Sequence, residues 1–255
     1  MCGVCRDFDN SDLMGGKADY LGGLAEVATE GREALHNVGW LSRMPLDFRE
    51  AMLGDAFWRI AKPGAEFIHA GDRNGGMFSI ARGSAKIALD SGHPDAPFIH
   101  LAHPGFWGGI APLLGRPRKL NVTACDQVLW ALVPLIAIRR MLGAHPEWWR
   151  HVAHLAADDT EMCFNAVADH THHKSERRVI CVLLRLGGCR IAPPKPHDPI
   201  ELQITQGELA AISTMSRSTL SAILTSLAGN DLIKIHYRGI TLINPQALRD
   251  LAAIE

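Results

Sequence analysis

The sequence predicts an α+β chain: an N-terminal antiparallel β-roll of the jelly-roll kind, a long helix, and a C-terminal winged helix–turn–helix. Three observations predict it. Between Trp58 and Leu132, runs such as "AEFIHAGD", "GGMFSIARGSAKIAL", "APFIHLAHPG" and "LNVTACDQVLWALV" alternate in polarity and are broken by Gly and Pro. That spacing fits strands of about 5–7 residues joined by turns. "HPEWWRHVAHLAADDTEMCFNAVADHTHH" then repeats apolar residues at helical intervals. Finally, the last fifty residues hold two helix-capping signals, a break between them, and a two-strand pattern.

At 255 residues with 47% hydrophobic residues, the chain is long enough for a sizeable core and is not a disordered composition. Its net charge of −1 excludes a strongly polyanion-binding surface over the whole molecule. From Lys174 onward, however, 10 Lys/Arg stand against 7 Asp/Glu, a net of +3 that leaves −4 for the first 173 residues. The C-terminal part is therefore the end expected to meet a polyanion. No signal peptide pattern opens the chain, and the longest apolar run, "VLWALVPLIAI", is too short for a bilayer and holds Pro134. Six cysteines at irregular spacings are not a disulfide framework, so reduced thiols in the cytoplasm are expected, with no membrane partner.

Residues 1–35, with "CGVC" and "MGGKADYLGGL", read as a flexible N-terminal arm. Residues 36–143 form the roll, entered through a helical "NVGWLSRMPLDFREAML" that packs across one end. Residues 144–173 form the long helix. Trp148, Val152, Leu155, Met162 and Ala166 make a stripe on it, interrupted by Asp159, which the sequence assigns to a dimer seam in preference to the helix's own domain core, the alternative that stays open. Residues 174–255 begin with "ERRVICVLLRLGG", a buried helix ending at Gly187–Gly188, and pass through the Pro-rich connector "APPKPHDP".

In "ITQGELAAISTMSRSTLSAIL", Thr205 and Glu208 make a capping box for a first helix, and Ser216 caps a second. Leu209, Ile212, Leu220, Ile223, Leu224 and Leu227 share one apolar face. "LIKIHYRGITLI" follows as a hairpin, the wing.

These residues resemble the Crp/Fnr transcription regulators. "ITQGELAAISTMSRSTLSAIL" is similar to that family's helix–turn–helix, with Ser216–Arg217 heading the recognition helix. "FWGGIAPLLGRPRKLNVTA" is similar to its cyclic-nucleotide cassette, and the order roll, long helix, winged helix matches over about residues 36–250. The resemblance implies a homodimer on a palindromic double-stranded operator, with RNA polymerase a further partner if the protein activates. Arg217 would read a base edge, with Ser216, Ser218 and Ser221 beside it. Thr205 would donate to a phosphate, and Lys234 and Arg238 on the wing would touch the backbone. Thr214 stands in the tight turn where many such motifs carry Gly.

The cassette departs from the family pattern. cAMP-binding members read Gly-Glu and then Arg-Ser; here Gly108–Gly109 and Arg118–Lys119 hold those positions. On the long helix, the Thr-Ser pair that contacts adenine falls on Cys163–Phe164. Unpaired ribose and base groups would cost several kcal/mol, about 1–3 kcal/mol each, so cAMP is not the expected ligand. Arg118 and Lys119 leave room for another anion, or for no ligand. An iron–sulfur cluster needs four thiolates. Cys2 and Cys5 have ligand spacing and Cys125 is a third candidate, but that branch's strand cysteine falls on Ala131, so a cluster is not expected. His170, His172 and His173 close the long helix, where imidazoles suit the helix dipole or ligate a metal or haem. No nucleophile elbow, Walker loop, HExxH or acidic-partnered GxGxxG is present, so an enzyme is not expected. Two alternatives stay open: a redox- or metal-responsive regulator, and an interaction module whose winged helix has left DNA. These motifs encode neither effector, operator nor sign of regulation.

Overall fold

The computed structural model describes residues 17–90, 98–190 and 199–253, with side chains from residue 26. Cys2, Cys5 and most of the Pro-rich connector lie outside the described residues. In chain order the elements are helices α1 (Lys17–Asn37), α2 (Gly39–Ser42) and α3 (Leu46–Gly54), then strands β1 (Phe57–Ala61), β2 (Glu66–Ile68), β3 (Met77–Arg82), β4 (Ala85–Leu89), β5 (Phe98–Ala102) and β6 (Trp107–Gly108). After α4 (Ile110–Leu113) come β7 (Leu120–Ala124), β8 (Val128–Val133), α5 (Leu135–Ala144), a 3-10 turn (Pro146–Trp148), α6 (Trp149–Thr171) and α7 (Ser175–Leu186). The remainder is β9 (Ile200–Leu202), α8 (Gln206–Ile212), α9 (Arg217–Gly229), β10 (Ile233–His236), β11 (Gly239–Leu242) and α10 (Pro245–Ala253).

Two four-stranded antiparallel sheets, β1-β8-β3-β6 and β2-β7-β4-β5, make the roll. Ile80, Ile87, Val122, Val128 and Trp130 fill the space between them, as alternating residues of facing sheets must. The outer face of the first sheet is covered by the N-terminal helices, α5 and the start of α6. Leu35, Trp40, Phe48, Met52, Trp107, Leu129, Trp148 and Val152 pack there. Edge-to-face rings knit this layer: Trp40 lies 5.6 Å from Trp107 and Phe48 lies 5.4 Å from Trp148. Trp40 Nε1 donates to the His151 carbonyl at 3.0 Å, fastening the layer to α6.

The expected flexible arm is corrected from residue 17 onward. Gly-rich composition argues for mobility, yet α1 runs to Asn37 and lays Val27, Ala34 and Leu35 on the sheet. Gly31 is what lets it approach: a Cβ there would fall 2.1 Å from the Trp58 ring. Glu30 closes the contact by accepting from Arg82 Nη1 at 2.6 Å.

The dimer stripe is corrected as well. Trp148, Val152 and Leu155 are buried in the chain's own core, Leu155 at 3% exposure, because the first half of α6 is a lid on the roll. Met162 and Ala166 are only partly buried. Beyond Leu155 the apolar residues facing solvent are others: Phe164 is 70% and Val167 65% exposed.

The third core joins α7, α8, α9, α10 and the small sheet β10-β11-β9. The wing is thus three-stranded, not the two-stranded hairpin expected, with Ile200–Leu202 pairing along β11. Helix α10 is additional to the elements that the sequence predicts. Asn244 caps it, its Oδ1 accepting from Ala247 N at 3.0 Å, and Pro245 sits at the first turn where its missing N–H costs nothing. Phe98 and Leu101 of the roll also belong to this core, so the roll and the winged helix share buried surface.

Candidate DNA interface and ligand cassette

At the head of the recognition helix the local chemistry is self-sufficient. The Ser216 hydroxyl accepts from Thr219 N at 3.1 Å, capping α9. It also bonds the Ser218 hydroxyl at 2.9 Å and the Thr219 hydroxyl at 2.8 Å. Arg217 is the first helical residue, exposed, with no ion-pair partner among the described residues. Its guanidinium lies over α8, where a Cβ on Gly207 would sit 3.2 Å from Nη2. Gly207 thereby leaves the arginine a smooth surface to move across. Ser218 and Ser221 are exposed on the same helix, as are Lys234 and Arg238 on the wing.

Thr205 caps α8: its hydroxyl accepts from Glu208 N at 3.2 Å and Glu208 Oε2 accepts from Thr205 N at 2.9 Å, completing the capping box. The hydroxyl proton also goes to Glu208 Oε2 at 2.8 Å. Donating to a phosphate would exchange that one bond and leave the box intact. The other Glu208 oxygen takes Lys86 of the roll in a short ion pair. Burial works against this carboxylate, but the bonds from Lys86 and Thr205 hold it below the usual range.

The turn between α8 and α9 accommodates Thr214 in the left-handed region, φ 52°. A β-branched residue is strained there by about 1–2 kcal/mol. Its hydroxyl donates to the Ser213 carbonyl at 2.8 Å, and Arg178 Nη1 from α7 reaches that hydroxyl at 3.3 Å. The motif's geometry is therefore held from outside the motif. The wing tip supplies the residue that sequence reasoning missed: Tyr237, 94% exposed, in the two-residue turn beside Arg238, itself at φ 62°. A Tyr between the paired His236 and Gly239 was the available signal.

The cassette is built the opposite way. Gly108 ends β6, and Gly109 opens α4 at φ 108°. A side chain on Gly109 would place its Cβ 2.5 Å from the Gly76 carbonyl and 2.9 Å from Met77 Cα. The position that would carry glutamate thus has neither room nor a suitable backbone. Arg118 is turned inward, 5% exposed. Its Nη2 donates to the Gly76 carbonyl in a short bond, Nε lies 3.4 Å from Asp72 Oδ2, and the guanidinium sits 5.4 Å from the Phe78 ring centre. Burial lowers its pKa and the Asp72 carboxylate opposes that, with Nε and Nη2 engaged in the β2–β3 loop. Lys119 is exposed, and Cys163 and Phe164 are exposed on α6. Within the chain, Gly109 and Arg118 are neighbours, a Cβ on Gly109 falling 3.0 Å from Arg118 Nη1, while Lys119, Cys163 and Phe164 face solvent. Cys125 follows β7 half-buried, its thiol pushed up to about 11 by burial. It is not part of a group of three possible metal ligands among the described residues.

Roll and winged helix are stitched by polar bonds around β5. Arg185 of α7 donates to Asp169 Oδ2 at 2.8 Å and to the Ile99 carbonyl at 3.0 Å. His103 Nε2 donates to the Leu186 carbonyl at 2.7 Å, which fixes its tautomer. The neighbouring His100 keeps Nδ1 buried without a partner. Burial, then the Arg185 and His103 charges, lower its pKa to about 3.

A family model described as the Crp-like helix-turn-helix domain matches residues 177–251, from inside α7 to α10. The C-terminal segment is thus similar to a Crp-like helix–turn–helix domain. Solved structures extend the likeness to the whole architecture. A CRP/FNR-family transcriptional regulator from Thermus thermophilus is 22% identical, with a TM-score of 0.57, covering 77% of this chain and 98% of that one. A second CRP-family regulator from the same organism is 18% identical over 77% and 97%, at 0.56. The c-di-GMP-responsive global regulator CLP of Xanthomonas campestris is 16% identical over 78% and 99%, at 0.56. No curated protein matches the chain in sequence. Roll, α6 and C-terminal domain together share the fold of these solved structures. No described helix is long and apolar enough to cross a membrane.

Proposed function

We propose that this is a homodimeric, sequence-specific DNA-binding regulator of transcription, working in the cytoplasm and unresponsive to cAMP. The observation that carries it is Arg217, an exposed guanidinium with no ion-pair partner among the described residues, at the head of a capped helix inside a segment similar to a Crp-like domain. In the major groove such a fork bonds guanine O6 and N7 together. Ser218, Thr219 and Ser221 line the same face, while Lys234, Tyr237 and Arg238 of the wing flank it for backbone contact. Binding-site selection on wild type and Arg217→Ala tests this. The variant is expected to lose preference at one base pair per half-site. An unchanged sequence preference with uniformly lower affinity would reduce Arg217 to a phosphate contact, and no binding by wild type would favour an interaction module.

Dimerisation is supported by the outer face of α6. Ala153, Ala157, Thr160, Phe164, Val167 and Thr171 recur at 4-3-4-3-4 intervals on the side away from the roll, the seam spacing of paired helices. A twofold seam places two recognition helices on a palindrome. RNA polymerase is the further partner if the protein activates. Phe164→Glu is expected to give a folded monomer by light scattering; a folded dimer would move the seam elsewhere.

A further inference from the structure

We propose that Asp169, His172 and Cys181 form a binding site for a divalent transition-metal ion, of which Zn²⁺ is the type, at the break between α6 and α7. Their ligand atoms all lie within 4.8 Å of one another. Asp169 is on the last turn of α6, His172 is the residue that ends it, and Cys181 comes from the middle of α7. Asp169 and Cys181 are fully buried. His172 Nε2 is buried with no hydrogen-bond partner among the described residues. Such an orphan is costly in a folded chain, and a metal bond would satisfy it.

The donor set points to the class of ion. One imidazole, one thiolate and one carboxylate suit Zn²⁺, Co²⁺ or Ni²⁺ rather than Mg²⁺ or Ca²⁺, which want oxygens alone. Three protein ligands leave a fourth position for water. Tetrahedral bonds of about 2.0–2.3 Å put ligand atoms about 3.5 Å apart, so the site closes by about 1 Å on loading. The surroundings bear on the protonation states. Burial, followed by Arg177 and Arg190, lowers the His172 pKa and keeps the imidazole neutral, which is its ligating form. Burial raises the Cys181 thiol, which ligates as its thiolate. Loading therefore releases the Cys181 proton to solvent as the S–metal bond forms.

Two guanidinia already face Asp169. Arg185 Nε holds Oδ2 at 2.8 Å, and Arg190 Nε reaches Oδ1 at 3.3 Å from a more exposed side chain. The ion takes the place of Arg190, leaving Arg185 as the partner that orients the carboxylate. Loading would tie α7 to the end of α6. Arg178 of α7 already bonds the His172 carbonyl at 3.0 Å and the Thr214 hydroxyl, so the tie reaches the turn of the Crp-like domain. Only this last consequence, metal-dependent DNA binding, rests on the function proposed above.

Cobalt titration of the purified, untagged full-length chain tests the site without DNA. One Co²⁺ per chain is expected, with tetrahedral visible bands and a thiolate-to-cobalt charge-transfer band, all displaced by Zn²⁺. Cys181→Ser should abolish the charge-transfer band, His172→Gln should weaken binding at least tenfold, and Arg190→Ala should bind at least as tightly as wild type. Cobalt binding without the charge-transfer band, or equally to Cys181→Ser, would place the ion on the exposed His170 and His173 and overturn the proposal. So would no binding, or weaker binding by Arg190→Ala. A gel shift with and without Zn²⁺ then reads the regulatory consequence separately.

Discussion

Arg118 and Arg217 are the two arginines that the sequence offers as anion readers, and the fold treats them oppositely. Arg118 follows a glycine turn, and its guanidinium folds back onto the carbonyl, carboxylate and ring of the loop facing it. Arg217 follows a serine cap on a helix whose inner face is filled by Leu220, Leu224 and Leu227, so its side chain is left outside, with no charged partner among the described residues. A guanidinium is readiest for an external anion where the fold has not already supplied acceptors. The cassette's arginine has Nε and Nη2 held by its own loop; the one heading α9 is the arginine proposed above to meet a ligand.

Four measurements sharpen or break that contrast, beginning with the largest effect. Arg118→Ala removes a buried cation and strands the Gly76 carbonyl, and it is expected to cost about 2–4 kcal/mol of stability by denaturant unfolding. DNA sequence preference should be unchanged in whatever stays folded. A loss below about 0.5 kcal/mol, the usual scale of a surface substitution, would mean that Arg118 is free for a ligand after all. Arg217→Ala inverts the pattern. It should cost about 1–3 kcal/mol on the preferred operator, as exposed arginines rarely matter to folding beyond about 0.5 kcal/mol.

The third measurement uses a buried group that can shed its charge where Arg118 cannot. The folded state resists protonating His100 down to about pH 3, whereas the unfolded imidazole takes a proton near 6.5. Its contribution is therefore complete above pH 6.5 and is lost on acidification, by at most about 1.4 kcal/mol per pH unit. His100→Gln should flatten that acid limb in a pH series of melting temperatures; an equally steep limb would assign it to other groups. The smallest expected effect is none at all. Calorimetry should show no cAMP binding to wild type, nor to Gly109→Glu, because the added side chain meets the backbone of Gly76 and Met77. A measurable heat would reopen the cassette.

The recognition-helix end was legible because it depends on neighbours in sequence. Ser216 caps a residue three positions on, Thr205 and Glu208 cap each other, and leucines at helical spacing face one core. That the stretch from Trp58 to Leu132 is built of short strands was legible from alternation and turn residues in the same way; their pairing order was not. What escaped depends on contacts distant in the chain. Composition could not tell that Gly31 makes room for Trp58, nor that Trp148, Val152 and Leu155 cover the roll while Phe164 and Val167 remain outside. An apolar stripe says that a helix face is covered, not by what. Arg118 shows the same limit, since motif spacing located the residue but its acceptors, Asp72 and Gly76, come from another loop. The meeting of Asp169 and His172 with Cys181 likewise exists only once α7 has turned back along α6.

One carboxylate beside the face proposed to meet DNA is neutralised within the chain. Glu208 divides its two oxygens, one closing the end of α8 and the other holding Lys86 of the roll. Unneutralised, it would add a negative point near the path proposed for a phosphate chain. With Lys86 in place that point is cancelled. On that reading Arg217, Lys234 and Arg238 meet the polyanion as separate positive tips, so contact is discontinuous and register is decided at a few places. Salt should therefore weaken the complex with a shallow slope of about one counterion for each of these contacts.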